Sequence, residues 1–285
     1  MLKHRIISGF LMAGALLAAL RFLPSEGAVA VLAVFCALGL WEFSALLKAG
    51  GIPHFRWTGI LGGVTLIVST WWFHDPALGG LDPDVEAMVL FGIAAFVFIR
   101  QMFQPAIDQA LASMAATLLG MIYVAWLFNF LNKLLLVFGL VEGRLLILYL
   151  VMVVKLTDVG AFFTGCRLGG PKFFPRISPA KTWSGVIGGL VTGVVFSLVG
   201  WYFIHPHMPE LRFQWHDALI LGVLLSAAGV AGDLIESMVK RASGVKDSGT
   251  IIKGMGGFLD VVDSLMFTAP ILYIYLRLFV ETAAR

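Results

Sequence analysis

The sequence predicts an all-α, polytopic integral membrane protein of about nine spanning helices. Three observations predict it. Hydrophobic residues make up 59% of the 285 and charged ones 13%, against about 45–50% and about 25% in an ordinary soluble domain. The mean hydropathy is +0.93. Apolar runs close to the roughly 20 residues that cross a bilayer as a helix recur from end to end. With 20 Lys+Arg and 17 Asp+Glu, too few charges exist to coat a soluble globule. A water-soluble enzyme, a disordered chain and a nucleic-acid-binding domain are thereby excluded.

The expected spans are residues 6–22, 28–47, 58–73, 87–99, 111–131, 145–164, 186–203, 218–233 and 258–280. Lys3, His4 and Arg5 before the first run, with Ala28-Val29-Ala30 after it, mimic a signal peptide. The equally apolar chain downstream favours a retained first span. Glu42 lies inside the second span, where an internal hydrogen bond is the simplest role for it. The connection to the fourth span holds Asp75, Asp82, Asp84 and Glu86 without a Lys or Arg, so it belongs outside. Lys48, Arg56, Arg100, Arg167, Lys172, Arg176, Lys181, Lys240, Arg241, Lys246 and Lys253 then fall, with Lys3 and Arg5, on the cytoplasmic side. Lys133 has no assigned side. Trp57, Trp71, Trp72, Trp201 and Trp215 sit near span ends, at headgroup level. Cys36 and Cys166 are too far apart to make a disulfide or metal framework. Residues 1–144 read as a lipid-facing scaffold. Residues 145–285 read as spanning helices with two polar cytoplasmic segments, 165–181 and 240–257, both dense in Gly and basic residues.

The chemistry is expected in those segments and the span ends beside them. Ionisable groups inside spans cost about 2.5–3.5 kcal/mol each on insertion scales and are functional candidates. Asp158 lies in the sixth span, with Lys155 three residues earlier on the same helix face. Asp233 and Glu236 close the eighth span, and Asp260 and Asp263 open the ninth, each pair spaced i,i+3. Carboxylates gathered in a partly dehydrated site repel one another. A divalent cation removes that penalty, and hard oxygen ligands favour Mg2+. The plainer alternative is a solvated acidic helix end. Lys240, Arg241 and Lys246, and in the earlier loop Lys181, lie among residues whose backbone N–H groups can turn towards an anion. Their plain reading is positive-inside topology or contact with anionic lipid. Acids for a metal and bases for phosphates on one membrane face together suggest phosphoryl or nucleotidyl transfer at the cytoplasmic surface. No P-loop is present. A transporter is disfavoured because the intramembrane acids crowd the cytoplasmic third and leave no polar path across.

These residues resemble one known family. Ser237-Met238-Val239-Lys240-Arg241, Lys246-Asp247-Ser248-Gly249 and Gly256-Gly257-Phe258-Leu259-Asp260, with Asp263, look like the C-terminal signature of the phosphatidate cytidylyltransferases. Gly232-Asp233-Leu234-Ile235-Glu236, Asp158-Val159-Gly160-Ala161 and Ser178-Pro179-Ala180-Lys181-Thr182-Trp183 resemble further blocks of that family in the same order. The resemblance covers residues 158–263; the N-terminal half agrees only as a set of spans. Lys253 stands where the family usually has Pro, Met255 where it has His, and Val261 where it has Arg.

The resemblance implies transfer of CMP from CTP to phosphatidate, giving CDP-diacylglycerol and pyrophosphate. It implies a metal set of Asp158, Asp233, Asp260 and Asp263, holding Mg2+ and compatible with a second cation. Asp260, Asp263, Lys240, Arg241, Lys246 and Asp247 become the expected catalytic residues. Ser178, Lys181, Thr182, Ser237, Gly256 and Gly257 become the expected substrate contacts. CTP and bilayer phosphatidate are the implied partners; a homodimer fits the reading and nucleic acid does not. The expected location is a membrane, spanned several times, and the inner (cytoplasmic) membrane if the source is bacterial, with the site facing the cytoplasm. A CTP-dependent lipid kinase and a catalytically inert lipid-binding homologue are the alternatives.

Overall fold

Helices account for most of the backbone in the computed structural model, which describes residues 23–75, 80–81, 83–105, 107–245, 248–249 and 257–280. In chain order they are α1 (Ser25–Ala49), α2 (Arg56–Trp72), α3 (Pro83–Met102), α4 (Ala110–Val137, with a π-helical stretch at Met121–Trp126), α5 (Leu140–Leu168), α6 (Trp183–Ile204), α7 (Trp215–Ala242) and α8 (Leu259–Phe279). Two antiparallel hairpins interrupt them: β1 (His74–Asp75) with β2 (Gly80–Leu81), and β3 (Lys172–Phe174) with β4 (Ser178–Thr182).

Among the described residues, 7 helices are long and apolar enough to cross a membrane. The expected count of nine is not reached for two reasons. The span at 6–22 lies outside the described residues, and α2 has only 17 residues. The remaining expected spans each coincide with one helix. The third-to-fourth connection is shorter than expected, because Pro83 opens α3 and puts Asp84 and Glu86 in its first turn. Proline is tolerated at the first helical position, and the positive helix end favours acids there.

The chain divides into two compact units, Met1–Phe138 with Val239–Val262, and Gly139–Met238 with Asp263–Arg285. In the first, α1 packs on α2, and two buried asparagines find acceptors inside the protein, as a bilayer core favours. Asn129 Nδ2 donates to Thr70 Oγ1 at 2.8 Å and Asn132 Nδ2 to the Ile67 carbonyl at 2.9 Å. Lys133, without an assigned side in the sequence, lies within α4 and pairs with Glu86 at 2.6 Å.

In the second unit α5 and α6 form a close pair. Their approach depends on glycine: a Cβ at Gly189 would meet the Thr157 carbonyl at 3.1 Å. Small residues of this kind let membrane helices touch backbone to backbone. The outer face of α6 exposes Ile187, Val191, Val195, Tyr202 and Phe203, a surface suited to lipid rather than water.

Candidate active site

Two groups of charged side chains are built at the ends of α7 and α8, one in each compact unit. In the first unit Asp260, in the first turn of α8, is fully engaged. Its Oδ1 accepts from Lys240 Nζ, and the two side chains are only 13% and 12% exposed. Its Oδ2 accepts from Ser248 Oγ at 2.8 Å, Gly257 N–H at 2.7 Å and Ser248 N–H at 3.2 Å. A carboxylate in the first turn that reaches back to preceding N–H groups caps the helix and meets its positive end. Arg241, at the end of α7, is exposed. Lys246, Asp247, Lys253, Met255 and Gly256 lie outside the described residues.

In the second unit α7 and α8 run so close that a Cβ on Gly232 would lie 2.7 Å from the Asp263 carbonyl oxygen. Any other residue at 232 would force the helices apart. That approach gathers Asp233, Glu236 and Asp263, one ligand oxygen from each lying within 4.8 Å of the others. Glu236 and Asp263 are buried and Asp233 is partly exposed. Ser264 Oγ donates to Asp263 Oδ1 at 3.1 Å, and Ser237 Oγ to Asp233 Oδ1 at 3.5 Å.

The β3–β4 hairpin supplies the opposing charge. Lys181 on β4 pairs with Asp233 Oδ2 at 2.6 Å and reaches the Val230 carbonyl at 3.4 Å. Thr182 then ends the strand and caps α6, its Oγ1 accepting from Gly185 N–H at 3.2 Å. Before the hairpin the chain turns through Gly169 and Gly170, whose φ values of 61° and 101° are open to glycine and rarely to other residues. These elements enclose a cavity of about 470 Å³ lined by Asp158, Lys172, Lys181, Thr182 and Asp233 among others. Its size falls in the usual range for small-molecule sites. Asp158 is half-exposed there and 3.8 Å from Lys155. Ser178 begins β4, partly exposed.

The expected metal set therefore separates. Asp233 and Asp263 meet, Asp158 shares the cavity with Asp233, and Asp260 is held by Lys240, Ser248 and Gly257. Glu236 joins the acidic group although the family resemblance does not put it in the metal set; its i,i+3 spacing from Asp233 was the available signal. The three carboxylates suit a hard divalent cation such as Mg2+: all donors are oxygen, and their proximity creates a repulsion that a cation relieves.

The family model described as "Cytidylyltransferase family" matches residues 3–279. The chain belongs to the cytidylyltransferase family. It is thus a membrane-embedded nucleotidyltransferase. It is 34% identical over 268 residues to a Staphylococcus aureus (strain COL) protein named phosphatidate cytidylyltransferase, covering 92% of this chain and 96% of that one. A Brucella suis protein of the same name is 43% identical over 139 residues, 49% of each chain. The Escherichia coli (strain K12) protein named "Uncharacterized protein YnbB" is 38% identical over 135 residues, 47% of this chain and 43% of its own length. In this cytidylyltransferase the Lys181–Asp233 pair and the acidic group of Asp233, Glu236 and Asp263 lie together in the second unit.

Proposed function

We propose that this cytidylyltransferase transfers CMP from CTP to phosphatidate, forming CDP-diacylglycerol and pyrophosphate. The observation that carries the reading is the acidic group Asp233, Glu236 and Asp263 beside the Lys181–Asp233 pair at the wall of the cavity. The Staphylococcus relative, similar over nearly the whole chain, supports phosphatidate as acceptor.

In this reading a phosphate oxygen of the lipid bonds to the α-phosphorus of CTP, and the bond from that phosphorus to the β-phosphate's bridging oxygen breaks. The lipid phosphate is already an anion, so no side chain has to remove a proton from it. Asp233, Glu236 and Asp263 would hold Mg2+, with Asp158 close by along the cavity wall. When bound there, the cation supplies charge neutralisation to the triphosphate. Lys181 and Lys172 hold and orient phosphate oxygens, and Lys181 exchanges its bond to Asp233 for one to substrate. Such contacts gain strength where water is partly excluded. The excess of Lys and Arg on one side supports a site facing the cytoplasm, where CTP is available.

The test is direct. Purified protein with CTP, Mg2+ and phosphatidate should yield CDP-diacylglycerol and pyrophosphate. Release of CDP with a doubly phosphorylated lipid would replace this reading with a lipid kinase. No product under any divalent cation would leave an inert homologue, the reading that Met255 and Val261 in place of the family's usual His and Arg favour.

A further inference from the structure

Glu42 belongs to the N-terminal half, far in sequence from the charged residues at the ends of α7 and α8. It sits on α1, 2% exposed. A carboxylate in an apolar span is expensive unless it meets donors. Its donors come from more than 200 residues away: Oε2 accepts from Leu259 N–H at 2.9 Å and Ser248 Oγ at 3.4 Å. Leu259 opens α8, so its N–H is one of the donors that a helix leaves unpaired at its start. Oε1 is buried and has no hydrogen-bond partner among the described residues. The loop backbone crowds both oxygens. A Cβ at Gly249 would stand 2.7 Å from Oε1, and one at Gly257 would overlap Oε2 and Ser248 Oγ. Ser248 also donates to Asp260, so Glu42 and Asp260 grip the same serine while each holds backbone N–H at the loop's far end.

We propose that Glu42 is a positioning residue for nucleotidyl transfer. It ties both ends of the glycine-bearing loop, Ser248–Gly249 and Gly257–Leu259, to α1 and so fixes the start of the helix that carries Asp260 and Asp263. The inference rests on the proposed transfer reaction for its kinetic consequence, and on the contacts alone for its structural one.

The test compares full-length wild type, Glu42→Gln, Glu42→Ala, Gly249→Ala and the Glu42→Ala/Gly249→Ala double variant in detergent. Two kinds of measurement are made: amide hydrogen exchange of the peptide spanning 248–259, and steady-state kinetics giving kcat and KM for CTP and phosphatidate. Glu42→Ala should speed exchange in that peptide and lower kcat by about 10–100-fold, as loss of a supporting partner does. Glu42→Gln keeps a carbonyl acceptor for Leu259 N–H and should recover most of that loss. Gly249→Ala should impair activity alone but cost little when Glu42 is already alanine, because the truncated side chain leaves room for the added methyl. Unchanged exchange in Glu42→Ala, additive losses in the double variant, or a Glu42→Gln protein as impaired as Glu42→Ala would each overturn the proposal. If wild type makes no CDP-diacylglycerol the transfer reading fails, and the exchange data still decide the anchor.

Discussion

Asp260 and Asp263 stand three residues apart on α8 and keep opposite company. Asp260 is surrounded by donors: the Lys240 ammonium, two backbone N–H groups and a serine hydroxyl. Asp263 is surrounded by acids, Asp233 and Glu236, with the donors of Ser264 on one oxygen. A carboxylate saturated with donors has its charge already answered and its lone pairs used. A carboxylate pressed against two others stores repulsion that a divalent ion releases on binding. One helix therefore carries a donor-saturated carboxylate on one turn and, on the next, a carboxylate grouped with two other acids.

The sharpest way to break this comparison is to neutralise each acid in turn. Asp263→Asn should abolish CDP-diacylglycerol formation while the protein stays folded, since it removes one of three mutually repelling charges. Thermal unfolding with and without Mg2+ checks the cause. In wild type, Mg2+ at a hundredfold over its dissociation constant should stabilise by about 2.7 kcal/mol. Both Asp263→Asn and Glu236→Gln should lose that gain, and chelation should abolish it in wild type. Retention of the full Mg2+ effect in both variants would remove the cation site.

Asp260→Asn should act differently. Breaking a mostly buried ion pair by removing one partner should destabilise by about 3 kcal/mol. The Mg2+-dependent gain in melting temperature should survive. If it disappears, Asp260 is a ligand as well and the contrast collapses. Gly232→Ala addresses the helix approach itself. Its methyl would meet the Asp263 carbonyl oxygen, costing about 1–3 kcal/mol and weakening Mg2+ more than CTP binding. The smallest effect is expected at Thr182→Ala, which removes the α6 cap for about 1 kcal/mol. It should alter melting temperature and leave the Mg2+ response unchanged.

Much of this molecule was legible before its structure. Bilayer thickness sets the length of an apolar run, so eight of the nine expected spans coincide with helices, and only the run at 6–22 lies outside the described residues. The i,i+3 acids of α7 and α8 announced themselves because polar groups are rare in spans. Glu42 was visible for the same reason, and its expected internal hydrogen bond is present. Harder to read were the start of α3, moved by Pro83, and the partner of Lys133, which is Glu86 on another helix.

Composition and hydropathy by themselves determined a multi-pass helical membrane protein, because the cost of exposing backbone to lipid permits few other solutions. Residue order placed acids and bases at matching span ends and carried the family likeness. Which acids come together was decided only in three dimensions. Sequence spacing puts Asp260 and Asp263 near each other on one helix, but a side chain's role depends on what faces it. That came from Gly232, small enough for α7 and α8 to touch, and from Lys240, Ser248 and Gly257 converging on Asp260.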